Sequence, residues 1–85
     1  MVQKKVMIVE DEGVVALSLK STLSKMGYTI TGIAITGKEA ITLALETQPD
    51  VILMDIHLKG DIDGIQTTEE LNRVTDIPVI YLTAY

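Results

Sequence analysis

The sequence predicts an α/β fold, a single domain in which strands of a parallel sheet alternate with helices. Three observations point there. Val6 to Val9 and Val51 to Met54 are apolar without interruption, as strands buried on both faces of a parallel sheet are. The segments between the apolar runs repeat their apolar residues at spacings of three and four, the period of a helix. Gly27, Pro49 and Pro78 stand where the patterns change. The order reads strand, helix, strand, helix, strand, helix, strand, which implies right-handed crossovers between parallel strands.

Taken in order, the first strand is Val6 to Val9. A helix follows on the stripe Val15, Leu19, Leu23 and Met26, and Gly27 ends it, as a glycine just past a helix does. Tyr28 to Ala34 is rich in β-branched residues and reads as the second strand. Thr36 is placed to cap the next helix, with Glu39 three residues on completing a capping box. That helix carries Ala40, Ile41, Ala44 and Leu45 and ends before Pro49. The third strand, Val51 to Met54, ends on Asp55. After a loop containing Lys59, Gly60 and Asp61, Asp63 reads as the cap of a third helix with Ile65, Leu71 and Val74 on one side. Pro78 to Leu82 is the fourth strand, opened by a proline where a strand tolerates one. Helices this short take their stability from packing on the sheet.

A chain of 85 residues makes one domain and buries roughly 60–70% of its surface. It has no cysteine, so neither a disulfide framework nor a thiolate metal site is expected. No apolar stretch approaches the ~20 residues that span a bilayer, and the apolar run after the basic start is too short for a signal peptide. The simplest compartment is the cytoplasm, with no membrane partner. The net charge of -5 argues against a nonspecific nucleic-acid binder, which needs a basic face. The acids are clustered: Glu10, Asp11 and Glu12 are consecutive, and Asp55, Asp61 and Asp63 lie close together.

Sites in open parallel sheets form beyond the carboxyl ends of the strands. Glu10, Asp11 and Glu12 follow the first strand, Asp55 ends the third, and Thr83 and Ala84 follow the fourth. Strands lie ~4.8 Å apart, so pairing of the first and third would bring Asp11 to Asp55. Two carboxylates ~4 Å apart repel by about 4 kcal/mol at a surface-like dielectric. A shared proton or a hard cation such as Mg²⁺ would relieve this. A carboxylate beside Mg²⁺ is also a competent nucleophile toward phosphorus, and the Thr83 hydroxyl and Ala84 amide could donate to the phosphoryl oxygens.

Four segments, Val6–Glu12, Ile52–Asp55, Asp63–Ile65 and Pro78–Ala84, resemble in order the signatures of the response-regulator receiver family, over essentially the whole chain. The resemblance implies a flavodoxin-like doubly wound parallel sheet, here with four strands in the order 2-1-3-4. It implies Asp55 as phosphoacceptor, Asp11 as direct metal ligand, and Glu10 assisting through water. The backbone carbonyl of His57 would complete the protein ligands to Mg²⁺ (or Mn²⁺). Thr83 would be the switch hydroxyl and Ala84 the small residue that leaves phosphate access. The phosphoryl donor would be a histidine kinase or phosphotransfer protein of a two-component phosphorelay, and the module would catalyse its own phosphorylation and slow hydrolysis rather than act as a separate enzyme.

Two departures are visible. The loop after Asp55 lacks the family's usual proline and is one residue longer. The family's fifth strand, with a lysine that contacts the phosphoryl group and an aromatic that answers the switch threonine, is not in this sequence. The expectation is therefore a receiver portion spanning residues 1–85, with phosphotransfer slow or absent. Its apolar fourth strand, an exposed edge, is expected to promote self-association. The alternative function is a fragment that folds and self-associates with little phosphotransfer. A haloacid-dehalogenase-type phosphatase would place an aspartate two residues after its nucleophile, where this chain has His57. A dinucleotide site would follow the first strand with a glycine-rich turn, where this chain has Glu-Asp-Glu. Simpler roles stand beside these: Glu12 favouring a helix start through the macrodipole, Asp61 and Asp63 in turn and cap, Lys59 as a surface lysine, and the His57 side chain peripheral.

Overall fold

A computed structural model describes residues 3–82, and the alternating pattern is realised there as seven elements. They are β1 (Lys5–Val9), α1 (Gly13–Lys25), β2 (Thr29–Ala34), α2 (Gly37–Thr47), β3 (Val51–Asp55), α3 (Gly64–Val74) and β4 (Val79–Leu82). The strands form one parallel sheet in the order β2-β1-β3-β4. From β1 the chain steps outward to β2, then reverses and crosses to β3 and β4. Because each crossover is right-handed, the reversal moves the helices from one face of the sheet to the other. Accordingly α1 packs on β1 and β2, while α2 and α3 pack on each other, α2 against β1 and β2 and α3 against β3.

The main core lies under α2 and α3. Met7 and Val9 of β1 and Ile52 and Met54 of β3 alternate along their strands and point to this face. Ala34, Ala40, Ala44, Leu58 and Leu71 join them. On the opposite pleat Ile8 is fully buried beneath α1. Two of the four expected α1 stripe residues, Leu19 and Leu23, lie on the inner face, and the other two do not. Val15 is 40% exposed and Met26 65% exposed, while Ala16 is the buried member, with Leu19 and Leu23 half-buried. A helix seated on a flat sheet accepts its smallest side chain at the closest approach. In α3, Ile65 and Val74 face solvent and the buried positions are Gly64, Thr67, Thr68 and Leu71. The two threonine hydroxyls donate to the carbonyls of Asp63 (2.6 Å) and Gly64 (2.9 Å) one turn back, so they enter the core without an unmet polar group.

The helix ends follow their local chemistry. Gly27 has φ +95° just past α1, a left-handed conformation that glycine adopts without Cβ strain. Thr36 accepts from the Glu39 amide at 3.1 Å, as expected of a cap. The Glu39 carboxylate reaches back to the amide of Ile35 rather than to that of Thr36. Asp63 caps α3 in a reciprocal box with Gln66, at 2.8 and 3.0 Å. β4 begins one residue after Pro78, whose carbonyl accepts from the Ile52 amide at 3.0 Å.

Candidate functional site

The reversal of strand order places β1 beside β3, and the register decides what meets at their ends. Val9 pairs with Met54, so the next residues along, Glu10 and Asp55, emerge side by side, with Asp11 one position further. This crevice at the carboxyl ends is where sheets of this kind bind ligands. Carboxylate oxygens of Glu10, Asp11 and Asp55 all lie within 4.8 Å of one another. They line a cavity of about 300 Å³ together with Glu12, Val15, His57 and Lys59.

Each acid is oriented by one backbone N–H. Asp55 Oδ1 accepts from the His57 amide at 2.9 Å. Asp11 Oδ2 accepts from the Lys59 amide at 2.9 Å, and Glu10 Oε1 from the Glu12 amide at 3.1 Å. One oxygen of each carboxylate is thereby held by the chain. Glu10 is 5% exposed. Burial lifts its carboxyl above the ordinary 4.5; the amide of Glu12 opposes the rise, and the charge of Asp55, a side-chain hydrogen bond with Asp55 and the charge of Asp11 add to it.

Three oxygen-bearing acids held this close suit a hard divalent cation. Mg²⁺ prefers carboxylate, carbonyl and water oxygens and is bound through few carboxylates rather than a full protein cage. Its charge would offset the repulsion among the three acids, which adds to the effect of burial at Glu10. The donor set therefore fits the group that the sequence resemblance implies.

Among the expected site residues, Glu10, Asp11, Asp55 and His57 are brought together. The His57 residue is exposed, in keeping with a peripheral side chain. Thr83 and Ala84 lie outside the described residues. Glu12 is the N-terminal cap position of α1 but makes no side-chain capping bond; its side chain lines the cavity instead. Asp61 pairs with Lys38 at 3.1 Å on an exposed surface. Two participants were not legible in advance. The Lys59 amide contacts Asp11 through the backbone, which carries no residue-type signal. Leu58, buried at 6% exposure, anchors the loop after Asp55, and its apolar character in a polar loop was the available clue.

Comparison with known proteins agrees with the fold. The family model of the response regulator receiver domain matches residues 6–85. The chain is 34% identical over 82 residues to the phyllosphere-induced regulator PhyR of Methylorubrum extorquens, covering 95% of this chain and 31% of that protein. The anti-anti-sigma factor PhyR of Bartonella quintana, solved in complex with the anti-sigma factor NepR, superposes with a TM-score of 0.87 at 34% identity, over 99% of this chain and 35% of that one. The signal receiver domain of a modulated diguanylate cyclase from Desulfovibrio desulfuricans G20 gives a TM-score of 0.90 at 36% identity, over 95% and 65% of the two chains. The present chain thus spans about a third of the length of the curated relative it matches.

Proposed function

The chain belongs to the response regulator receiver domain family, and on that premise we propose that Asp55 accepts a phosphoryl group from a histidine kinase or phosphotransfer protein. Mg²⁺ (or Mn²⁺) would be held by Glu10, Asp11, Asp55 and the backbone carbonyl of His57. The observation that carries the proposal is the convergence of three carboxylates within 4.8 Å at the β1/β3 crevice.

The chemistry follows from the orientation of Asp55. Its Oδ1 accepts from the His57 amide, which fixes the side chain, and a carboxylate oxygen of Asp55 is the attacking atom. An O–P bond forms as the N–P bond of the donor phosphohistidine breaks, and the imidazole leaves with the electron pair. The cation supplies charge neutralisation of the phosphoryl oxygens. Glu10 and Asp11, tied to the amides of Glu12 and Lys59, keep their positions without reorganising. We further assign the Thr83 hydroxyl and Ala84 amide as donors to the transferred group.

The test is incubation with Mg²⁺ and a small phosphodonor, followed by mass spectrometry for an acid-stable, base-labile adduct. Slow accumulation of the adduct is expected on the parent, and none on Asp55→Asn. Equal labelling of both proteins would rule out Asp55 as the acceptor.

A further inference from the structure

We propose that Gly64 is a positioning residue that sets the geometry of the turn carrying the acceptor. Gly64 is buried as the first residue of α3, and its N–H donates to the Ile56 carbonyl at 3.2 Å. A Cβ at this position would overlap the carbonyl oxygen of Asp55. It would also stand 2.9 Å from the Asp55 carbonyl carbon and 2.9 Å from Ile56 Cα. These are backbone atoms, so no side-chain rotation relieves the conflict. Gly64 is not among the residues with positive φ, and the requirement is for space rather than for an unusual torsion.

Gly64 therefore holds two successive peptides. The peptide after Asp55 lies against its Cα, and the peptide after Ile56 accepts its hydrogen bond. The same two peptides fix where the Asp55 side chain leaves β3 and where the His57 amide meets Asp55 Oδ1. They also determine where the His57 carbonyl points. The helix behind Gly64 is itself seated by Thr68, whose hydroxyl donates to the Gly64 carbonyl at 2.9 Å. A side chain at position 64 must displace either α3 or the turn 55–57, and with it the ligand set.

Gly37 supplies the control. It is equally crowded, since a Cβ there would overlap Thr67 Oγ1 and lie 2.6 Å from Ile62 Cγ1. Its nearest neighbours are side chains, those of Thr67 and Ile62, and not the backbone of Asp55 or Ile56. Steric cost is common to both glycines, whereas contact with the acceptor's peptide belongs to Gly64 alone.

The inference rests on the metal site proposed above, and the experiment separates the two. Amide spectra of the metal-free parent, Gly64→Ala and Gly37→Ala are recorded, and each folded protein is titrated with Mg²⁺. Gly64→Ala is expected to shift the amides of residues 55–58 and weaken Mg²⁺ binding about tenfold, roughly the cost of a 1.4 kcal/mol change. Gly37→Ala should leave both readouts close to the parent while lowering stability. The proposal is overturned if Gly64→Ala leaves the turn amides in place, or if its loss of affinity only matches that of Gly37→Ala. Should Gly64→Ala not fold, Thr68→Val decides: it keeps the side-chain shape and removes the bond to the Gly64 carbonyl. The same amides should then move and affinity fall a few-fold; unmoved amides refute the role. A parent that binds no Mg²⁺ removes the metal reading, while the metal-free spectra still judge Gly64.

Discussion

Replacing Asp55 by Asn should make the metal-free protein more stable while removing the acceptor. The side chain keeps its shape, and an amide oxygen can still accept from the His57 N–H that now holds Asp55 Oδ1. What disappears is one negative charge within 4.8 Å of two others. At that separation each pair costs about 0.9 kcal/mol at the dielectric of water and about 3.5 kcal/mol at an effective dielectric of 20. Asp11 and Asp55 are half-buried, so the lower part of this range applies, and relief of two pairs gives about 1–3 kcal/mol. In a domain of this size that is a rise in Tm of about 5–15 °C. Mg²⁺ at a hundred times its Kd should stabilise the parent by about 2.7 kcal/mol and the variant far less. Thermal unfolding of both proteins in chelator and in Mg²⁺ gives the four values needed. If Asp55→Asn is no more stable than the parent in chelator, the repulsion at the strand ends is not the burden inferred from their geometry. If Mg²⁺ raises both Tm values equally, Asp55 does not hold the cation. A site whose key residue destabilises the empty fold is a familiar exchange of stability for function.

Two further outcomes follow from the same structure. Glu10 has its carboxyl raised by burial and then by its acidic neighbours, so the metal-free fold holds that proton more tightly than the unfolded chain does. Its contribution is fully present below the ordinary value and is lost as pH rises through the raised one. Denaturant unfolding in chelator should show that loss on the alkaline side of 4.5, and Glu10→Gln should flatten it; an unchanged profile would contradict the assignment. Leu71 is fully buried between α3 and the sheet, and Leu71→Ala should cost about 2–5 kcal/mol in urea unfolding, with a loss under 1 kcal/mol refuting close packing there.

Element order was legible because the apolar runs of β1 and β3 admit one reading, and Asp63, Gly27 and Pro49 mark boundaries by local chemistry. Strand ends such as Lys5 and Pro78 moved by a single residue. On α1, Leu19 and Leu23 were placed correctly, but hydropathy also rewarded Val15 and Met26, whereas close approach to the sheet rewards Ala16. The buried Thr67 and Thr68 were invisible for the opposite reason: their polarity hides a core role that their own helix satisfies. Within the site, residue type disclosed the carboxylates at the strand ends. It did not disclose the Lys59 amide on Asp11 or the space that Gly64 leaves for Asp55, because backbone donors and missing side chains have no signature of their own. The expected roles of Thr83 and Ala84 fall outside the described residues.

The bond from the Lys59 amide to Asp11 joins positions 48 apart in the chain, and Glu10 meets Asp55 across a comparable separation. The β1–α1–β2 unit can close on its own through neighbouring contacts, yet it contains only two of the three clustered acids. The cavity comes into being when β3 docks on β1, a non-local pairing of the kind that slows folding. An unfolded chain consequently presents no preformed ligand set, and cation affinity is drawn almost wholly into the folded state. Under refolding conditions the metal would therefore report on the pairing of the two central strands, ahead of any phosphate chemistry.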